Sequence, residues 1–185
     1  MKKQPHITAV TRQNIVDAFW VLYKQRPLDQ ITIKDIMVKA GYNRGTFYEY
    51  FENVRAVLDY VEDVLIEYMR NWITSDPNFW EKSDETIGKI AEMYRVKGEF
   101  FGVLLGENGD PHFSAKWKAA IKPLLASTLT SSPETNLQQD LALEYSVSGV
   151  LAVLAYWYPM RDQFSYEQLA SLMRSLLNRD TIQNF

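Results

Sequence analysis

The stretch that decides the fold reads Thr32-Ile-Lys-Asp-Ile-Met-Val-Lys-Ala-Gly-Tyr-Asn-Arg-Gly-Thr-Phe-Tyr-Glu-Tyr-Phe51. Thr32 with Asp35 three residues on has the form of a capping box, Asp standing in the usual Glu position, so a helix opens after Thr32. Ile33, Ile36, Met37 and Ala40 give that helix a buried side at helical spacing. Gly41 accepts positive φ at no steric cost, which lets Ala40-Gly41-Tyr42 reverse the chain in very few residues. Asn43 is a good N-cap for a second short helix, Arg44 to Phe51, with Phe47 and Phe51 inward and Arg44, Gly45, Thr46 and Tyr48 outward. Two short helices about a tight turn, the second rich in exposed polar groups, make a helix-turn-helix. The second helix of such a pair fits the major groove of DNA and brings its N-terminal side chains to base edges.

Working outward, the preceding residues form a helix from about Thr8 to Gln25, with Ile15, Ala18, Phe19 and Leu22 on one face and Pro27 as its stop. Downstream, Asn53 caps a long helix whose apolar seam is Val54, Leu58, Val61, Leu65, Tyr68 and Trp72, ending before Asp76-Pro77. Five more helical stretches follow. The first runs from Ser83 to about Val96, where Lys97-Gly98 breaks it, and a short one covers Glu99 to Leu105. After the Gly106–Pro111 loop comes a helix from about Phe113 to Thr128, then Ser131-Ser-Pro133 and a long apolar helix, Leu137 to Tyr158. The Ser165-Tyr-Glu-Gln168 capping box opens the last helix, which runs to about Asn178. The expectation is an all-α protein of about nine helices: a three-helix head over residues 1–52, then a larger helical domain over 53–185.

Composition narrows the function. Residues 1–55 hold nine basic and five acidic side chains, a balance of +4, while the remainder holds eleven and eighteen, a balance of −7. A basic head on an acidic body suits a phosphate-binding module on a soluble platform. The chain has no cysteine, which excludes disulfides, thiol catalysis and cysteine-based zinc sites. His6 and His112, the two histidines, have no acidic cluster at ligand spacing, so no metal site is expected. There is no nucleophile–base arrangement and no glycine-rich phosphate loop, so neither an enzyme nor a cofactor is expected. With no signal peptide and no apolar run of roughly 20 residues, the expected location is the cytoplasm, away from membrane.

The 32–51 segment resembles the DNA-binding segment of the tetracycline-repressor (TetR) family, in its Ala-Gly turn, its Gly-Thr-aromatic-Tyr run and its Tyr-x-Phe-type ending. The flanking helices fall where that family has them, so the resemblance covers about residues 8–69. The Leu104–Pro111 and Ala155–Pro159 segments look like one subgroup of such regulators. The resemblance implies DNA contact by Thr32, Asn43, Arg44, Gly45, Thr46, Tyr48, Tyr50 and Arg55, with Tyr48 and Tyr50 on backbone phosphate. Two departures stand out: Glu49 where the family commonly has His, and Val54 where it has a phosphate-holding Lys, a task that falls to Arg55. Lys2, Lys3 and Arg12 serve either as a backbone-tracking arm or as a solubilising end.

The implied protein is a dimeric, ligand-responsive repressor that binds an inverted-repeat operator in double-stranded DNA. The alternative is a DNA-bound adaptor or coactivator whose C-terminal domain binds a protein. Seventeen of the 25 aromatic residues follow position 55, and Trp72, Tyr94, Phe101, Trp117, Tyr145 and Tyr156 are the candidates to line a pocket for a small apolar or aromatic effector. Aromatic residues also build ordinary cores. A stripe of small residues in the penultimate helix, Ala142, Ser146, Gly149, Ala152 and Val153, lets another backbone approach closely. It serves either packing within the chain or a dimer. The family's use of its last two helices as a four-helix interface favours a dimer through Ser146, Gly149 and Val153.

Overall fold

The computed structural model describes residues 5–75, 84–129 and 137–176, and every regular element among them is helical. In order these are α1 (Pro5–Tyr23), a 3-10 turn (Leu28–Gln30), α2 (Ile33–Ala40), α3 (Arg44–Tyr48), α4 (Val54–Ser75), α5 (Asp84–Leu104), α6 (Phe113–Leu129), α7 (Leu137–Trp157), a second 3-10 turn (Tyr158–Met160) and α8 (Tyr166–Leu176). The all-helical expectation holds, with eight α-helices among the described residues. The expected break at Lys97-Gly98 does not occur. Gly98 continues α5, because the Trp157 and Tyr166 rings close over it, 3.8 and 3.6 Å from where a Cβ would stand. In the other direction, α3 stops at Tyr48 instead of Phe51, where Tyr50 and Phe51 both donate back to the Phe47 carbonyl in a turn. The proposed Ser83 cap and the Ser131-Ser-Pro133 connection lie outside the described residues.

The chain divides into two compact units, Met1–Val64 and Leu65–Phe185. The division falls inside α4, not at residue 52, because the first turns of that helix belong to the head's core. Val57, Leu58 and Val61 are buried there with Ile15, Phe19, Tyr23, Ile36, Met37, Phe47 and Phe51. Aromatic contacts knit this core: Phe19 stacks on Tyr23 at 5.3 Å, and Phe51 meets Tyr60 edge-on at 5.8 Å. Arg12 lies over the outer side of Tyr60, 5.6 Å from its centroid, so one member of the proposed basic arm is packed against the head.

In the second unit, α5 packs on α7 and α8, and α6 on α7. Phe101, Phe113 and Trp117 make an aromatic cluster with centroids 6.2–6.3 Å apart, beside the buried Leu104 and Ile121. The expected capping box opens α8, Ser165 N–H donating to Gln168 Oε1 at 2.8 Å and Gln168 N–H to Ser165 Oγ at 3.2 Å. Trp157 Nε1 donates to the Phe164 carbonyl at 2.8 Å and ties the end of α7 to the turn before α8.

α7 is apolar on two sides. Leu143, Val147, Leu151, Leu154 and Trp157 form its buried face. A second sector carries Leu137, Leu141, Tyr145, Gly149, Ala152 and Tyr156, all exposed, with Tyr145 and Tyr156 at 82% and 75%. Counting both faces, the Leu137–Met160 stretch is long and apolar enough to cross a membrane, which corrects the expectation that no such run exists. A polar strip separates the faces: Asp140, Glu144 and Ser148 receive Lys118 and Lys122 from α6 at 2.6–3.3 Å. Each such part-buried pair adds modestly on its own, but four contacts on two lysines fix the rotation of α7 about its axis.

Two predictions follow from this packing. A Cβ on Gly102 would lie 2.0 Å from the Tyr158 ring, so Gly102→Ala must displace that ring. It should destabilise the second unit by about 1–3 kcal/mol in denaturant unfolding, against a gain of about 0.5–1 kcal/mol for Ala at an unobstructed helical glycine. Stability equal to or above the parent's would show that Tyr158 yields freely.

The second concerns pH. Lys118, then Lys122, hold the Glu144 carboxyl down from 4.5 to about 2. A depressed folded-state value stabilises the protein fully above the unfolded-state value and loses that stabilisation as pH falls toward 2. Glu144→Gln should therefore flatten the decline of stability between about pH 5 and 2 while leaving the curve near neutrality parallel to the parent's. Unchanged acid sensitivity would remove the clasp from the acid transition.

Candidate nucleic-acid interface

The head presents α2, a turn and α3, and local chemistry fixes each joint. Thr32 Oγ1 accepts the Asp35 N–H at 3.2 Å and Asp35 Oδ2 accepts the Thr32 N–H at 3.1 Å, which completes the capping box. Arg26 adds a donor to the same carboxylate at 2.9 Å. Hydrogen bonds from Thr32, with the charge of Arg26 behind them, hold the Asp35 carboxyl below the usual carboxylate range. At the other end of α2, Gly41 takes φ +77°, and the N–H groups of Gly41 and Tyr42 both return to the Met37 carbonyl. The Tyr42 hydroxyl accepts from Asn14 Nδ2 at 2.9 Å, so the turn is also tied to α1.

Asn43 caps α3. Its Oδ1 accepts the Thr46 N–H at 3.0 Å and the Thr46 hydroxyl at 3.2 Å. A Cβ at residue 45 would lie 3.1 Å from that oxygen, so glycine there leaves the cap uncrowded. Phe47 is completely buried, and this turns the outer side of α3 to solvent with Arg44 and Tyr48 upon it. These two form a unit. Arg44 Nη2 donates to the Tyr48 hydroxyl at 3.2 Å, and the guanidinium lies 5.9 Å from the ring centroid.

The eight residues implied for DNA contact thus separate by their work in the fold. Arg44, Gly45 and Tyr48 form the outward surface of α3. Thr32, Asn43 and Thr46 spend side-chain hydrogen bonds on capping. Tyr50 is half-buried in the turn after α3, and Arg55 is engaged through Nε with Asp59 Oδ1 at 2.8 Å. Glu49, exposed at the C-cap of α3, adds negative charge to the same end. Sequence reading missed the Arg26–Asp35 and Asn14–Tyr42 links. Both join residues from separate elements, so no local pattern announces them.

The six candidate effector residues do not form one lining. Phe101 and Trp117 lie in the aromatic cluster, Tyr94 is buried with its hydroxyl pushed upward in pKa by desolvation, and Trp72 is half-buried on α4. Tyr145 and Tyr156 stand on the exposed sector of α7, turned away from its buried face by helical periodicity, so in one protomer they line no interior surface with the others. Trp117 Nε1–H is buried and has no hydrogen-bond partner among the described residues. Of the small-residue stripe, Gly149 is exposed and a Cβ there would meet nothing within 4 Å, while Ser146 and Val153 are half-buried. Sequence reading missed the outer face, whose signal is Leu137, Leu141, Tyr145, Gly149, Ala152 and Tyr156 at steps of three and four. Among the described residues no group of three or more acidic, histidine or cysteine side chains could hold a metal ion.

Two family models match this chain. Residues 15–61 match the family of bacterial regulatory proteins, tetR family, and residues 81–179 match a transcriptional regulator C-terminal region of the same type. Among curated proteins, the chain is 24% identical over 123 residues to an uncharacterised HTH-type transcriptional regulator of Bacillus subtilis, YvdT, covering 64% of this chain and 63% of that one. A second B. subtilis regulator of that description, YxbF, is 23% identical over 151 residues, 77% of this chain and 38% of its own length. The chain thus spans less than two thirds of the length of these relatives. Three solved structures share the fold. The fatty acid degradation regulator FadR from Bacillus halodurans has a TM-score of 0.69 at 18% identity, covering 96% of both chains. The dihydroxyacetone kinase operon activator DhaS has 0.65 at 21%, covering 96% of this chain and 98% of that one. A TetR transcriptional regulator from Streptococcus agalactiae 2603V has 0.63 at 16%, covering 94% and 96%.

Proposed function

Because the chain belongs to the tetR family of bacterial regulatory proteins, we propose that it is a cytoplasmic, homodimeric, DNA-binding transcription regulator of the repressor type, controlled by a small apolar or aromatic effector. The observation that carries the DNA-binding part is α3. It is a short helix held by a buried Phe47 so that Arg44 and Tyr48 face outward beyond a completed turn. In a helix-turn-helix the residues so presented enter the major groove, where an Arg fork matches guanine O6 and N7.

The exposed sector of α7 supports a dimer. A soluble protomer rarely leaves a continuous row of Leu, Tyr, Gly and Ala in water along a whole helix, and Leu172 of α8 adds a further exposed apolar residue. Packing this face against its copy also accounts for the membrane-like hydropathy of the helix. Two heads related by a two-fold axis read two half-sites about 34 Å apart, or a multiple of that. The unpartnered Trp117 N–H supports an effector. A buried donor with no acceptor costs about 1–3 kcal/mol, and an apolar ligand carrying one acceptor relieves that cost. Such a ligand controls DNA affinity only through different affinities for the two states of the protein.

A second reading keeps the head and replaces the effector by a protein partner. The shared fold of DhaS, an operon activator, supports the activating sense of that reading. In that reading the protein partner docks on the second unit outside the dimer face, and an exposed apolar patch there would favour it.

The test begins with selection of bound fragments from a random duplex pool, which should return an inverted repeat. Gly149→Leu then probes the dimer. A Cβ at 149 meets nothing within 4 Å among the described residues, so the added side chain starts in open space and a loss of dimer points to a partner. The variant should fold normally, become monomeric by mass in solution, and lose most of its affinity for the full repeat, overpacking of a close contact costing about 1–3 kcal/mol. A variant that stays dimeric and binds as before would place Gly149 off the interface. A bound sequence without two-fold symmetry would remove the dimer reading.

A further inference from the structure

We propose that Tyr48 acts on DNA through Arg44: it is a positioning residue that holds the base-reading guanidinium in place, and its role in sequence preference exceeds any contact of its own. This rests on the reading of α3 as the groove-entering helix. A chain of three contacts leads from the core to the tip of the interface. Phe47 is 0% exposed, enclosed in the head's core. The Tyr48 ring meets Phe47 edge-on, 5.8 Å between centroids at 86°, so one side of the Tyr48 ring is fixed although the residue is half in water. Arg44, one helical turn back, then lies against that ring and donates Nη2–H to its hydroxyl at 3.2 Å. Gly45 presents no side chain between them and the solvent.

The consequence follows from donor arithmetic. A guanidinium has five N–H donors, and the bond to Tyr48 uses one, leaving four for an acceptor pair such as guanine O6 and N7. An unrestrained arginine carries large rotamer freedom that must be lost on reading a base. Here much of that loss has occurred before DNA arrives, because ring and hydroxyl together hold the side chain. The hydroxyl also stays available: having accepted from Arg44, it still donates its own proton. Asn43 and Thr46, beside the pair, are bound to one another in the cap.

The test compares Arg44→Ala, Tyr48→Phe and the double variant, each incubated with one random-sequence duplex pool, with base preference read position by position. Tyr48→Phe keeps the ring and its packing on Phe47, so the fold is retained. Arg44→Ala should flatten preference at one base pair per half-site by about five- to 150-fold. Tyr48→Phe should lower preference at that same base pair by about two- to twelvefold, the equivalent of one net hydrogen bond. The double variant should match Arg44→Ala, because Tyr48 has nothing left to position. A Tyr48→Phe loss that is uniform over all sequences and adds to that of Arg44→Ala makes Tyr48 a phosphate contact and overturns the proposal, as does no loss at all. If Arg44→Ala leaves preference intact, the groove reading of α3 fails first, and the coupling falls with it.

Discussion

The burial of Phe47 is the constraint on which the rest of the head depends. α3 is five residues long, far below the length of about 12–15 at which an isolated helix becomes marginally stable in water. It holds its shape because Asn43 closes its first turn and because Phe47 is enclosed by the head's core. Once that ring is inside, helical geometry puts Arg44, Gly45 and Tyr48 outside. The recognition surface is therefore a by-product of core packing. Its precision is that of the core, which is far better than a surface loop could supply.

The second unit solves a different problem with one helix. α7 must be apolar toward its own core and, in the proposed dimer, apolar toward a copy. A helix greasy on two sides has no preferred rotation from hydrophobicity alone. The polar strip of Asp140, Glu144 and Ser148, met by Lys118 and Lys122, removes the ambiguity. Rotating α7 by even one residue would carry the acceptors away from both lysines, so charge specifies orientation although it contributes little net stability. At the C-terminal end of α7 and just beyond, Gly102 receives the Tyr158 ring and Gly98 those of Trp157 and Tyr166, so α5 seats three aromatic rings from the chain's last third on two glycines.

What the sequence by itself determined was everything governed by neighbours a few residues apart. The Thr32–Asp35 and Ser165–Gln168 boxes, the Gly41 reversal, the Asn43 cap and the inward pairing of Phe47 with Phe51 were all legible, because capping and periodicity act within one turn of helix. So was the family, since those same local features carry the resemblance. Tertiary structure decided the matters that local rules leave open. Gly98 reads as a breaker and is not one, because rings from distant residues cover it. Phe51 reads as helical and is not, because the chain turns there to begin α4. Tyr145 and Tyr156 read as pocket residues and lie outside, because α7 has two apolar sides and only the lysines of α6 select which one faces in. The Arg44–Tyr48 hydrogen bond joins residues four apart on α3, while the ring of Tyr48 also meets the buried Phe47, a contact that depends on the packing of the whole head.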